Sequence, residues 1–125
     1  VRAYIHKKDL SVGYATAAEV AASRQGDCTE HAVLAAAMCR SAGIPAQVVT
    51  GLGYVPRIGD KRDCFGPHAW ARAWAGDRWV GLDAALTGYD AGHITLVYGD
   101  GDPQDYFGLI NTLGCFELAD VAVEK

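Results

Sequence analysis

The stretch Gly26-Asp27-Cys28-Thr29-Glu30-His31-Ala32-Val33-Leu34-Ala35-Ala36-Ala37-Met38-Cys39-Arg40-Ser41-Ala42-Gly43-Ile44-Pro45 carries a helix together with its start and stop signals. Gly26 interrupts what precedes it, and Asp27 followed by Glu30 is an acidic N-terminal cap. Strong helix formers fill Cys28 to Ala42. Cys28, Ala32, Ala35 and Cys39 recur at a helical period, and their small size lets such a helix lie close to a sheet. Gly43 and Pro45 supply the stop. Directly afterwards the character changes, and Gln47 to Val55, rich in Val, Thr and Tyr, reads as a strand.

Outward from this stretch the pattern continues on both sides. Upstream, Thr16-Ala17-Ala18-Glu19 is a capping box that opens a short helix to about Gln25. Residues 1–14 read as an extended lead-in with Tyr4 and Tyr14 as anchors. Downstream, residues 56–67 hold Pro56, Gly59, Asp60-Lys61-Arg62-Asp63, Gly66 and Pro67, and are expected to form a loop. His68 to Ala75 is a strand with Trp70 and Trp74 on one face, both expected in the core. Gly76-Asp77 marks a tight turn, and Arg78 to Asp83 returns as the second arm of a hairpin. A loop over 84–92, a strand over 93–98, an acidic turn over 99–105, a helical turn over 106–111 and a last strand over 116–123 complete the reading. Two helices followed by hairpin-linked strands specify an α+β fold, with the main helix packed on a mostly antiparallel sheet. A length of 125 residues suits one domain, residues 1–125.

Composition narrows the function classes. A hydrophobic content of 50% supplies an ordinary core, and 21% charged residues is near the usual share. The net charge of −4, with no basic cluster longer than Lys7-Lys8 or Lys61-Arg62, argues against a nucleic-acid surface. No apolar run approaches the ~20 residues of a membrane span. No signal peptide is visible, so a soluble, cytoplasmic location is expected. Because the chain begins with Val1, it reads as an excised domain or processed product. Its four cysteines, Cys28, Cys39, Cys64 and Cys115, permit two disulfides in three pairings. Cys39 and Cys115 are expected to be buried as small apolar residues, and a core of this size needs no staples.

Three segments carry the parts of a thiol-based acyl-transfer site. Cys28 stands at the first position of the main helix, where free amides and the positive end of the macrodipole favour thiolate and could bind an oxyanion. His68 stands where a loop becomes a strand, facing a cleft as the general base. Asp83 ends the paired strand. In a hairpin turning at Gly76-Asp77 the numbers of paired residues sum to about 153, which sets His68 opposite position 85 and within reach of Asp83. His31, one turn after Cys28, is a second candidate base, and His93 opens the next strand as a bridge across the sheet. Two competing readings use other residues. Cys28-x-x-His31 with Cys64-x-x-x-His68 has spacings that a zinc module uses. The loop from Asp100 to Asp105 resembles a calcium loop, but has Asp105 where that loop needs glycine. A catalytically silent interaction domain is the alternative to an enzyme. No cofactor and no metal are expected.

These residues together resemble the transglutaminase-like superfamily, within the broader papain-like cysteine-protease fold. The similar stretches are Gly26 to Ala32, Arg40-Ser41-Ala42-Gly43-Ile44-Pro45-Ala46, Gly66-Pro67-His68-Ala69-Trp70 and Trp79-Val80-Gly81-Leu82-Asp83. The resemblance implies Cys28 as nucleophile, His68 as base and Asp83 as third member. It also implies an antiparallel sheet carrying His68 and Asp83 against the helix that carries Cys28. It further implies acyl transfer from an amide of a protein or peptide substrate, with hydrolysis expected over cross-linking. The family often has Pro and Thr after its aspartate, where this chain has Ala84-Ala85.

Overall fold

The computed structural model describes residues 1–8, 15–86, 88–102, 104, 111 and 115. Helix α1 spans Ala17–Ser23 and helix α2 spans Cys28–Ser41. Strands β1 (Ala46–Ile58), β2 (Lys61–Trp74), β3 (Trp79–Leu82) and β4 (His93–Gly99) follow. The four strands form one antiparallel sheet in the order β3-β2-β1-β4. The fold is α+β, as expected. The segments over 106–111 and 116–123 lie largely outside the described residues.

Both helices start where their caps dictate. Thr16 accepts the Glu19 amide while the Glu19 carboxylate accepts from the Thr16 amide at 2.8 Å. Asp27 and Glu30 make the same reciprocal pair at α2. Helix α1 ends at Ser23, two residues before the expected Gln25, because Arg24 turns left-handed at φ 57°. Helix α2 then lies against the sheet through small side chains. Ala32, Ala35 and Ala36 cluster with Ala46, Val48, Ala69, Ala71 and Ala73, and the partly buried Cys28 and Cys39 pack on the same cluster. A second cluster of Ile5, Val20 and Leu34 seats α1 on α2. Burial of Val20, which has no exposed surface, contributes about 1.5–3 kcal/mol.

Residues 56–67 form no long loop. They are the outer arms of the β1–β2 hairpin, which turns at Gly59-Asp60 between the paired Ile58 and Lys61. This ribbon projects beyond the part of β1 that pairs with β4, so most of its side chains meet solvent on either face and no alternation shows. Pro56 falls between the paired Val55 and Arg57, past the reach of β4. Pro67 falls on a part of β2 that β3 does not cover. A proline costs no ladder hydrogen bond in such places.

Trp74 is also corrected. Trp70 is 2% exposed, but Trp74 is 37% exposed and packs edge-on against Trp79. Both follow the same pleat, yet Tyr89 and His93 cover Trp70 alone, and Trp74 sits beside the turn at 75–78. All four cysteines are free thiols. Cys115 is exposed rather than buried, with its thiol 3.3 Å from the Asn111 carbonyl, a local partner that needs no core.

Candidate active site

The entry to α2 is tightly built. Gly26 has φ +148°, and a Cβ there would stand 2.3 Å from the Glu30 Cβ, so only glycine fits. The Glu30 side chain is fully buried and accepts from the amides of Asp27 at 3.0 Å and Ala15 at 3.1 Å. Burial, and the neighbouring Asp27, push its carboxyl above the usual carboxylate range. The Asp27 side chain takes the Thr29 amide at 2.9 Å and the Glu30 amide. The cap therefore occupies two first-turn donors, the amides of Thr29 and Glu30.

Cys28 is half-buried at the first helical position, and its thiol is near enough to His68 to help raise that imidazole. His68 Nε2 lies 2.7 Å from Asp83 Oδ2, which leaves Nδ1 for the thiol. The imidazole rests over β1 where that strand has no side chain. A Cβ on Gly53 would stand 3.0 Å from His68 Cδ2, and one on Gly51 would meet the Ile94 carbonyl at 2.0 Å and the Trp70 ring at 3.0 Å. The turn and register read from the sequence hold, with Ala71 opposite Leu82 and Trp74 opposite Trp79. Asp83 follows directly on β3.

Asp83 is the most constrained group in the site. Its side chain has no exposed surface. Oδ1 accepts the amides of Ala85 at 2.8 Å and Leu86 at 2.9 Å. Oδ2 accepts His68 Nε2 and, at 2.9 Å, His93 Nε2. Burial alone would raise this carboxyl. Hydrogen bonds from His68, His93 and the Leu86 amide outweigh it and hold the carboxyl well below the usual range. An ionised carboxylate only accepts, so both Nε2 atoms carry hydrogen. Burial opposes charging of His68, but Asp83 and Cys28 outweigh that and push it up to about 9.

These shifts have opposite pH signatures. His68 titrates higher in the folded chain than its unperturbed value of about 6.5, so its stabilisation is full below that pH and is lost as pH rises through about 9. Asp83 titrates lower than its unperturbed value, so its stabilisation is present above about pH 4 and fades on further acidification. Urea midpoints measured from pH 5 to 10 are expected to fall on the alkaline side, and to fall less in His68→Gln. A wild-type midpoint that does not move between pH 6.5 and 9 contradicts the coupling.

The structure thus brings Cys28, His68 and Asp83 together. His31 is elsewhere engaged: it is 4% exposed, with Nδ1 2.6 Å from the Asp27 carbonyl, and it secures the helix start. Cys64 lies on β2 with its thiol toward the Val55 carbonyl at 4.0 Å, so the two zinc-like pairs do not converge. Among the described residues, the group with metal-ligating chemistry is instead His68, Asp83 and His93, whose ligand atoms lie within 4.8 Å of one another. The 2.7 and 2.9 Å separations there are those of N–H···O hydrogen bonds. In the acidic turn, Asp100 Oδ1 and Asp102 Oδ1 accept the amides of Asp102 and Gln104, as in solvated Asx turns. Sequence reasoning saw in His93 only a bridge across the sheet and missed its bond to Asp83. The available signal was Gly51-x-Gly53, a strand with two bare positions under whatever its neighbours carry.

The model of the transglutaminase-like superfamily matches residues 2–84 of this chain. Among solved structures, a candidate cysteine protease from Cytophaga hutchinsonii is similar, with a TM-score of 0.68 and 24% identity. The match covers 83% of this chain and 34% of that one, so the chain spans about a third of that protein's length. No curated protein matches. No helix among the described residues is long and apolar enough to cross a membrane.

Proposed function

This chain belongs to the transglutaminase-like superfamily, and from that premise we propose that it is a cysteine-dependent enzyme that cleaves amide or peptide bonds through Cys28, His68 and Asp83. The observation that carries the reading is the His68 imidazole, hydrogen-bonded through Nε2 to the buried Asp83 carboxylate and raised in part by the neighbouring Cys28 thiol. In the proposed reaction Cys28 Sγ attacks the amide carbonyl carbon with its proton already held on His68 Nδ1, consistent with the raised imidazole. The carbonyl oxygen becomes an oxyanion at the α2 N-terminus, where the Cys28 amide is its proposed donor. Collapse breaks the C–N bond, and the amine leaves with the proton from His68. Asp83 orients the imidazole and stabilises the imidazolium between the two transfers. Water then attacks the thioester, giving its proton to His68, and the thiolate is released.

The proposed substrates are proteins or peptides bearing amide groups. We propose hydrolysis as the main fate of the acyl-enzyme, because Cys28 is half-buried rather than enclosed and water reaches it. Transfer dominating at modest concentrations of an added amine would reverse that ordering.

Thiol reactivity provides the direct test. Cys115 is exposed and the other three thiols are half-buried. Access alone therefore directs a limiting amount of iodoacetamide to Cys115, whereas activation by His68 directs it to Cys28. Mass-spectrometric mapping of the native protein is expected to find Cys28 labelled first. Preferential labelling of Cys115, Cys64 or Cys39 would sink the assignment.

A further inference from the structure

His93 lies outside the stretch matched by the family model, yet it is as closely tied to Asp83 as His68 is. Its side chain is 2% exposed. Its Nε2 shares Asp83 Oδ2 with His68 Nε2. Its Nδ1 faces Asp90, with the carboxylate at 3.1 Å and the carbonyl at 3.2 Å. The ring is walled by Tyr89 at 4.7 Å and, edge-on, by Trp70 at 5.0 Å. Strand pairing explains how it arrives there: β1 runs between β2 and β4, with Gly51 opposite His68 and Gly53 opposite His93, so the two imidazoles meet over a bare stretch of backbone.

We propose that His93 is a positioning residue of this site, which holds the Asp83 carboxylate against rotation and aims its free lone pair at His68. The inference rests on the reading of Cys28 and His68 given above. Two amides fix Oδ1 of Asp83, but a carboxylate held at one oxygen still rocks. A second imidazole on Oδ2 removes that freedom, and its hydrogen bond keeps the charge that the His68 imidazolium needs. Five titratable groups face His68 and this series: Cys28 from α2, Asp83 after β3, His93 on β4, and Tyr89 and Asp90 in the preceding loop.

The test reads His68 directly. Imidazole-labelled protein is titrated by NMR in wild type, His93→Phe and His93→Gln, and the pH dependence of Cys28 alkylation is measured alongside. Phenylalanine keeps the ring between Tyr89 and Trp70 and removes the donor. Glutamine restores a donor near the Nε2 position. The expected result is a His68 midpoint about one pH unit lower in His93→Phe, with the alkylation profile changed to match and most of the shift recovered in His93→Gln. If His93→Phe does not fold, Asp90→Ala removes the exposed carboxylate at Nδ1 while the Asp90 carbonyl stays in place, and is expected to give a smaller shift in the same direction. An unchanged His68 midpoint in the folded variants overturns the inference, even where thermal stability falls. Because the NMR titration needs no substrate, a wild type with unreactive Cys28 would defeat the functional reading while still deciding the role of His93.

Discussion

Replacing Cys28 by alanine is expected to lower amide turnover by about 10⁴–10⁶-fold and to leave the fold intact. The side chain is half-buried against an alanine cluster, so removing one sulfur leaves a small gap at the edge of the core. The chemistry loses its attacking atom altogether. His68→Ala is expected to cost about as much, since an unassisted thiol meets the amide without a base and the leaving amine finds no proton donor. If the three residues act as a unit, Cys28→Ala combined with His68→Ala costs little more than either alone. Asp83→Ala is milder, because it frees the imidazole without removing it. The measurement is amine or ammonia release from a panel of glutamine- and peptide-containing substrates, with folding of each variant checked by circular dichroism. Undiminished release by folded Cys28→Ala excludes covalent catalysis at this residue, and additive losses in the double variant would show that the two do not work together.

Trp70→Ala should bring the largest loss of stability, about 3–5 kcal/mol by the usual cost of truncating a buried aromatic. The ring is 2% exposed and lies over bare Gly51, so no neighbouring side chain from β1 can fill the space it leaves. His68 stacks on it with ring centres 5.9 Å apart, and His93 meets it edge-on. Its loss therefore also opens the Asp83 bonds to water. Trp74→Ala, four residues along the same strand, is the control: its ring is already 37% exposed, and the expected loss is within about 1 kcal/mol. Urea unfolding at one pH decides between them. Equal losses would mean that the packing on this sheet face is not concentrated at Trp70.

The parts of the site that were legible in the sequence are those specified by neighbours in the chain. Asp27 and Glu30 cap α2 within one turn, so Cys28 at its first position follows from four consecutive residues. The turn after Trp74 sets the β2–β3 register, because a short hairpin leaves few ways to pair its arms, and that register carries Asp83 to His68. Small residues spaced along α2 announced a helix lying close to a sheet, and the cluster of Ala32, Ala35 and Ala36 with Ala69, Ala71 and Ala73 is that contact. The ribbon over 56–67 was illegible for the complementary reason: without a core to face, a strand loses the alternation by which it is known.

The sequence by itself determined the α+β class, the capped helix that presents Cys28, and the hairpin that joins His68 to Asp83. The tertiary structure alone decided that β4 pairs with β1, which sets His93 on Asp83 and Trp70 beneath Tyr89, while Trp74 stays partly exposed against Trp79. It also decided that His31 turns its Nδ1 to the Asp27 carbonyl. Caps and tight turns are chosen by interactions over two to four residues, which the local order of residues spells out. The partner of a strand beyond its own hairpin is chosen by which faces bury best together, and no short stretch of sequence contains that choice.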